Sequence, residues 1–293
     1  MKIKTKVINA FTRSIHGGNP AGVVLYPPVL TPDQMMGVTK LLSVSETAFV
    51  YPSRVADVKV IFYSPVMEID LCGHATIATF FVLADENASE LKGKNRVIMT
   101  QETRVGVLPV EIRFKAGVCD TVIMNQGKVT LEDVNWDAER VSSALNIRKN
   151  DIDISLPRQR VSTGLFTLPI CVRSYSTLRD MKPDFNMVKE LCVDYNVGSI
   201  HVYTFDTLNK NSLYHARNFA PLYGVNEDPV TGTANGAVSC YLYRNGLTRK
   251  KRIWCEQGDI IGRPGRVYVE IGSNDHVKVG GRAVHVSEQE VII

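Results

Sequence analysis

The stretch Leu71-Cys72-Gly73-His74-Ala75-Thr76-Ile77-Ala78-Thr79-Phe80-Phe81-Val82-Leu83 decides the fold of this chain. It returns later as Val230-Thr231-Gly232-Thr233-Ala234-Asn235-Gly236-Ala237-Val238-Ser239-Cys240-Tyr241-Leu242. A shift of 159 positions lays one on the other without a gap, placing Glu68 on Glu227, Gly73 on Gly232, Ala75 on Ala234, Ala78 on Ala237 and Leu83 on Leu242. Each copy reads as an acidic turn, a glycine and a run with almost no polar face. A helix that is apolar nearly all round has to be buried on all sides. The glycine is expected to bring the chain in through a tight or positive-φ turn. The first N–H groups of a helix have no partner inside it, and its dipole is positive there. A buried start of this kind is a natural seat for a carboxylate or phosphate. Two such starts point to two half-sites facing one cleft; the plainer reading is two core helices with tight entry turns.

The surrounding chain supports the duplication. Strands are expected over Ile3–Ala10 and Ala21–Tyr26, then a helix to about Leu42 with Thr31 as N-cap and Pro32 at its first position. Val44–Val50 and Asp57–Tyr63 read as strands, followed by the break at Ser64-Pro65 and the turn before the first apolar helix. Strands near Arg96–Gln101 and Thr103–Phe114 complete the first half. The second half repeats the order. A strand near Val118–Asn125 precedes an amphipathic helix over Leu131–Leu145, strands over Arg160–Phe166 and Leu168–Tyr175, and a helix opened by Pro183. Strands over Ser199–Phe205 and Ser212–Phe219 lead to the turn Gly224–Pro229 and the second apolar helix. Three more strands follow, near Arg252–Gln257, Val267–Ile271 and His276–Val279, and Gly280-Gly281 punctuates the tail. Each half is an α+β unit, a curved, barrel-like sheet wrapped around a central apolar helix. Two pseudo-symmetric domains are therefore expected, residues 1–116 and 117–279, joined near residues 115–120, with the tail 280–293 able to pack back on the first.

Composition narrows the function classes. The 293 residues are 44% hydrophobic and 22% charged, the range of a soluble globular protein. No apolar run is long enough to span a membrane, and Met1–Lys6 leads into a strand without a signal-peptide core. Six scattered cysteines form no Cys-x-x-Cys pair, so neither a disulfide framework nor a zinc motif is indicated and a cytoplasmic setting is expected. The formal charge of +4 would help attract a small anion. The basic run Arg249–Arg252 reads as a solvated loop rather than a nucleic-acid patch.

Glu46 is the first candidate for chemistry. In the alternating segment Val44–Val50 it shares a face with Val44, Ala48 and Val50. If that face is inward, burial raises the carboxyl pKa toward neutrality, as a general acid/base requires. If Phe49 marks the inner face, Glu46 is in water; the period leaves both open. Cys72, at a helix start, reads either as a packed small apolar group or as an activated thiol.

Together, Gly18-Asn19-Pro20, Ser45-Glu46-Thr47-Ala48-Phe49, Cys72-Gly73-His74-Ala75-Thr76, Arg217-x-Phe219-x-Pro221 and Glu227-Asp228-Pro229-Val230-Thr231-Gly232-Thr233-Ala234 resemble the phenazine-biosynthesis PhzF-like family. That family belongs to the diaminopimelate epimerase and proline racemase superfold, and the resemblance covers essentially the whole chain. It implies two epimerase-like domains with the active-site cleft between them, a homodimer, a small anionic metabolite as substrate, and no metal or organic cofactor. Racemases of the superfold use two cysteines, one per half. Here the first place falls on Cys72 and the second on Thr231, whose hydroxyl cannot replace a thiol without an adjacent activator. The family's acid/base is instead a glutamate, carried over to Glu46, with isomerisation of trans-2,3-dihydro-3-hydroxyanthranilate as its reference reaction. His74 and Asp228 match catalytic positions. Asn19, Gly73, Gly232 and Thr233 match positions that bind the substrate. Membrane-inserted and nucleic-acid-binding roles find no support. An isomerase, an epimerase using Cys72 with another base, and a non-catalytic binding protein on the same fold all remain compatible with the residues.

Overall fold

The computed structural model describes residues 1–273 and 276–293. It is α+β, and the chain divides into two compact units, Met1–Asn125 with Gly280–Ile293, and Gln126–Val279. Among the described residues no helix is long and apolar enough to cross a membrane.

The first unit runs β1 (Lys2–Ala10), β2 (Asn19–Leu25), α1 (Pro32–Leu42), β3 (Glu46–Tyr51), β4 (Val58–Tyr63), β5 (Glu68–Ile69), α2 (Gly73–Glu86), β6 (Arg96–Thr103), β7 (Gly106–Lys115) and β8 (Val118–Lys128), the last passing into the second unit. The second continues with β9 (Thr130–Asp133), α3 (Ala138–Leu145), β10 (Gln159–Ser162), β11 (Phe166–Cys171), α4 (Tyr175–Asp180), α5 (Phe185–Asp194), β12 (Ser199–Thr204), β13 (Tyr214–Ala220), β14 (Val225–Asp228), α6 (Gly232–Arg244), β15 (Arg252–Gln257), β16 (Gly265–Ile271) and β17 (His276–Gly281). The closing strand β18 (Ala283–Ile292) returns to the first unit.

The pairing repeats. In the first unit the strands lie in the order β18, β1, β2, β3, β4, β6, β7, β8, with β2–β3 and β4–β6 parallel and the other pairs antiparallel. In the second the order is β9, β10, β11, β12, β13, β15, β16, again with two parallel pairs, β11–β12 and β13–β15. The short β5 and β14 hang on β4 and β13 in the same way. Inside its sheet α2 touches β1, β2, β3, β7 and β18, which is why it needs no polar face. Phe80, Ile77 and Leu83 are fully enclosed. In the second unit α6 touches β10, β11 and β16. The outer helices cover the other sheet faces. Met35, Val38 and Leu42 of α1 pack on Val24 and Phe49. Val141 and Leu145 of α3 and Leu191 of α5 pack on Ile170 and Val202.

Several boundaries differ from the sequence expectation, each for a local reason. The helix expected over Leu131–Leu145 starts only at Ala138, because Thr130–Asp133 pairs with Ser162–Gln159 and Asp137 caps Glu139 N. Pro183 precedes the helix rather than opening it; Asp184 is the cap, accepting from the N–H groups of Asn186 and Met187. Leu168–Tyr175 is not one strand, since Ser174 caps α4 by accepting from Thr177 N. The "turns" at Glu68 and over Gly224–Pro229 hold short strands instead. The junction expected near residues 115–120 falls instead in the β7–β8 hairpin, inside the first unit, with Ala116 and Gly117 both left-handed. Past Gly280-Gly281 the tail belongs to the first unit, where β18 pairs with β1 from Ala283↔Ala10 to Ile292↔Lys2.

Candidate active site

The two apolar helices start where the echo places them, at Gly73 and Gly232. Neither glycine is among those with left-handed φ, so the expected positive-φ entry is not how the chain turns in. Both are already helical, and the turn is made by extended N-cap residues, Cys72 and Thr231. A Cβ on Gly73 would meet only Met124 Sδ at 3.8 Å, an ordinary contact, so the protein interior does not demand glycine there. What the glycine leaves is open backbone at the first turn. The four outer helices are all capped by side-chain oxygens, from Thr31, Asp137, Ser174 and Asp184, whereas Cys72 and Thr231 make no side-chain cap. Uncapped N–H groups and the positive end of the dipole are what an anion needs.

In the first unit, β3 brings Glu46 to this start. The either/or of its two faces does not hold: Thr47, Ala48, Phe49 and Val50 are all fully buried, because β3 lies between α1 and α2. Glu46, at the strand's first residue, keeps 23% of its side chain exposed and His74 12%. His74 Nε2 lies 3.2 Å from Glu46 Oε2, and Ser45 Oγ is 3.4 Å from the same nitrogen. On the other side of the ring, His74 Nδ1 is 3.4 Å from Cys72 Sγ. Cys72 is buried but is not merely a packed apolar group; it belongs to a thiol–imidazole–carboxylate row.

Electrostatics correct the expectation for Glu46. Burial pushes its carboxyl pKa up, as expected, but the hydrogen bond from His74 and that imidazole's charge outweigh burial and leave it lowered. Burial likewise pushes His74 down, and the neighbouring Cys72 and Glu46 outweigh it, holding the imidazole well above its ordinary value. Each partner thus favours the charged form of the other, and Glu46 holds a proton less tightly than a buried, unpaired carboxylate would.

In the second unit the start of α6 is built differently. Thr231 Oγ1 donates to Asp228 Oδ2. Gln257, buried at the end of β15, donates through Nε2 to Asp228 O at 2.8 Å and to Thr231 Oγ1 at 3.1 Å. Its Oε1 accepts from Thr231 N at 3.1 Å and from Asn235 Nδ2 at 2.7 Å. Asp228 is thus no mere turn residue before Pro229. Glu227, the shifted partner of Glu68, forms a bidentate pair with the buried Arg217, at 2.9 and 2.8 Å. Arg217 also donates to the carbonyls of Leu178 and Met181, closing the end of α4.

Of the residues expected from sequence, Glu46, Gly73 and His74 come together in the first unit, and Asp228 and Gly232 in the second. Thr233 is exposed one residue beyond Gly232. Asn19 is buried at the start of β2, opposite Ala10. Gln257 escaped sequence reasoning; its one signal is a polar Glu256-Gln257 pair closing the strand just before Gly258.

Comparison with known proteins follows the same lines. Residues 8–289 match the family described as phenazine biosynthesis-like protein, PhzC-PhzF. The uncharacterized isomerase YfhB of Bacillus subtilis is 36% identical over 287 residues, covering 97% of this chain and 96% of the relative. The trans-2,3-dihydro-3-hydroxyanthranilate isomerase of Pseudomonas aeruginosa is 28% identical over 294 residues, covering 94% and 98%. A crystal structure of a PhzF-family phenazine biosynthesis protein from Bacillus anthracis superposes over 100% of both chains with TM-score 0.89 and 32% identity. A hydroxyproline epimerase from Agrobacterium vitis, 12% identical with TM-score 0.60 over 99% of this chain and 92% of its own, shares the fold.

Proposed function

The chain belongs to the phenazine biosynthesis-like PhzC-PhzF family, and on that premise we propose that it is an isomerase moving one proton on a small carboxylate-bearing metabolite, with Glu46 as acid/base. The observation that carries this reading is the Glu46–His74 pair, 3.2 Å apart beside the uncapped start of α2.

In this mechanism the substrate carboxylate, or the oxygen on which charge builds up, sits at the N–H groups opened by Gly73. Glu46 removes a proton from the adjacent carbon. Its lowered basicity is matched by that preorganised stabilisation of the anion, so the pair does not need a strongly basic resting state. The protonated Glu46 returns the proton to another carbon on the same face. The imidazolium of His74 orients the carboxylate, and Glu46 regains its charge when it hands the proton to the second carbon. The same proposal assigns Asp228, with Asn19, Gly232 and Thr233, to holding the substrate, and trans-2,3-dihydro-3-hydroxyanthranilate is the first compound to offer. It includes a homodimer, which light scattering of the purified protein would read.

One observation favours a second reading. Cys72 Sγ lies within hydrogen-bonding reach of His74 Nδ1, so a thiol able to act as acid or base stands in the same row. An epimerase would use Cys72 on one face of a carbon and another base on the opposite face.

Incubation in D₂O with dihydro-hydroxyanthranilate and a panel of amino and hydroxy acids, followed by NMR, separates these readings. Deuterium uptake lost in Glu46→Gln supports the one-glutamate isomerase. Uptake that survives Glu46→Gln but is lost in Cys72→Ala supports the thiol reading. A ligand that shifts the spectrum of the protein but exchanges no C–H moves the case to a binding protein.

A further inference from the structure

The row Cys72–His74–Glu46 offers sulfur, nitrogen and oxygen donors within 4.8 Å of one another, a grouping of three such donors found among the described residues. We propose that it is also an inhibitory site for a thiophilic divalent cation such as Zn²⁺, ligated by Cys72 Sγ and His74 Nδ1 with Glu46 holding the ring from behind.

Three features of the geometry carry this. Sγ and Nδ1 are 3.4 Å apart, close to the roughly 3.5 Å that separates a thiolate and an imidazole nitrogen on a tetrahedral zinc with bonds of about 2.3 and 2.0 Å. Nε2, the far nitrogen, faces Glu46 Oε2 at 3.2 Å. Metal-bound histidines habitually donate their other N–H to a carboxylate, which fixes the tautomer; here the cation displaces the proton from Nδ1 and the proton from the Cys72 thiol, both released to water, while the Nε2–H stays donated to Glu46. Both ligands come from residues two apart at the start of α2, already 3.4 Å from one another, so little ordering remains to be done on binding. The positive helix end opposes the cation, and the negative charge of the bound sulfur offsets it. The remaining coordination positions stay open to water or to a substrate carboxylate. Occupied, the site takes His74 and Cys72 out of proton transfer and ties down the partner of Glu46.

Four of the other cysteines are poorer candidates. Burial pushes the thiols of Cys119, Cys171, Cys192 and Cys255 up to about 12, which keeps them protonated and poor ligands.

The test uses the untagged full chain and Co²⁺ as probe. The expected result is thiolate-to-cobalt charge-transfer absorption saturating at one Co²⁺ per chain and bleached by one equivalent of Zn²⁺. Cys72→Ser should abolish it with the circular dichroism of the wild type retained, and Cys240→Ser should leave it. Glu46→Gln should weaken binding about 10- to 100-fold, as loss of an outer carboxylate does. No charge-transfer band, or a band that persists in Cys72→Ser, overturns the site. The readout is binding, so it stands apart from the isomerase reading: a band with no deuterium exchange overturns only the latter, and exchange without a band only the former. Where exchange is observed, one equivalent of Zn²⁺ should suppress it and chelation should restore it.

Discussion

The starts of α2 and α6 occupy equivalent places in two copies of one architecture, and they have been finished in opposite ways. At α2 the N-cap is a thiol that touches an imidazole, and the imidazole touches a mostly buried carboxylate. At α6 the N-cap is a hydroxyl fixed to Asp228 and braced from behind by Gln257. The acidic residue that precedes each helix follows the same division. Glu227 forms a buried bidentate pair with Arg217, whereas Glu68 meets a largely exposed Arg104 at 3.2 Å. Even the glutamines differ. Gln257 makes four hydrogen bonds; Gln101 of β6 donates only to Thr76 at 3.4 Å, and its buried Oε1 finds no protein partner. The first start lines up three titratable groups, and the second closes its polar groups into a hydrogen-bonded network. On two backbones of the same architecture, the side chains behind the helix starts make the difference.

The sharpest way to break this contrast is to exchange the effects of variants. Glu46→Gln should lower turnover roughly 100- to 10,000-fold, the usual worth of a general acid–base group, with little change in melting temperature. An equal loss of stability would mean that the first start is structural after all. Arg217→Met should do the reverse to the second unit. It strands Glu227 in a buried setting and should cost roughly 3–5 kcal/mol in denaturant unfolding. Gln257→Leu removes the brace, leaving the Thr231 N–H and the Asp228 carbonyl without it, for about 3 kcal/mol. Its local sign would be faster amide exchange at Thr231 and Asn235.

A fourth prediction concerns pH. His215 in the second unit lies 3.0 Å from Glu256 and is hydrogen-bonded to Asp259, which also accepts from Tyr175 at 2.6 Å; the shifted position in the first unit is Ala56. Burial pushes the His215 pKa down, but the two carboxylates outweigh it and raise it to about 9. Glu256 and Asp259 are both lowered, their burial outweighed chiefly by His215. The raised imidazole contributes stability that is complete below its ordinary value of about 6.5 and is lost as pH rises through about 9. The lowered carboxylates contribute stability that is present above their ordinary values of about 4 and is lost on acidification. The melting temperature should therefore have its plateau between about pH 4.5 and 6.5, and His215→Asn should flatten the alkaline limb. The smallest effect is at an outer helix: Thr31→Ala, which removes a capping box, should cost about 1 kcal/mol and leave both buried starts untouched.

Much of this contrast could be read in the sequence. The two apolar helices are legible because burial on all sides erases their polar face, and their glycines fall at the first helical residues. Thr31-Pro32 is legible because a cap and a proline act locally. Glu46, His74 and Asp228 were found through the family's motifs, while strand period alone could not choose a face for Glu46, since β3 turned out to have no solvent face. The lowered pKa of Glu46 was not legible, because it depends on an imidazole that reaches it from another element. Gln257 and the Glu256–His215–Asp259 cluster were missed for the same reason: partners distant in sequence, joined only when β13 and β15 pair. The strand β9 was read as helix because its apolar spacing continues that of α3, and only pairing with β10 decides between them.

The return of β18 to β1 sets a timetable for synthesis. Lys2 pairs with Ile292, so the edge of β1 stays uncovered until β18, far later in the sequence, has been made. Residues 126–279 are contiguous and can close into their unit during that interval. Meanwhile β1 offers an open edge, the kind of surface on which nascent chains stick to one another. Lys2, Lys4 and Lys6 stand at alternate positions along it, and charged lysines on an edge strand discourage that pairing. In the finished sheet these lysines lie on an interior strand, between β18 and β2, so an edge-strand charge pattern there fits the interval before β18 arrives.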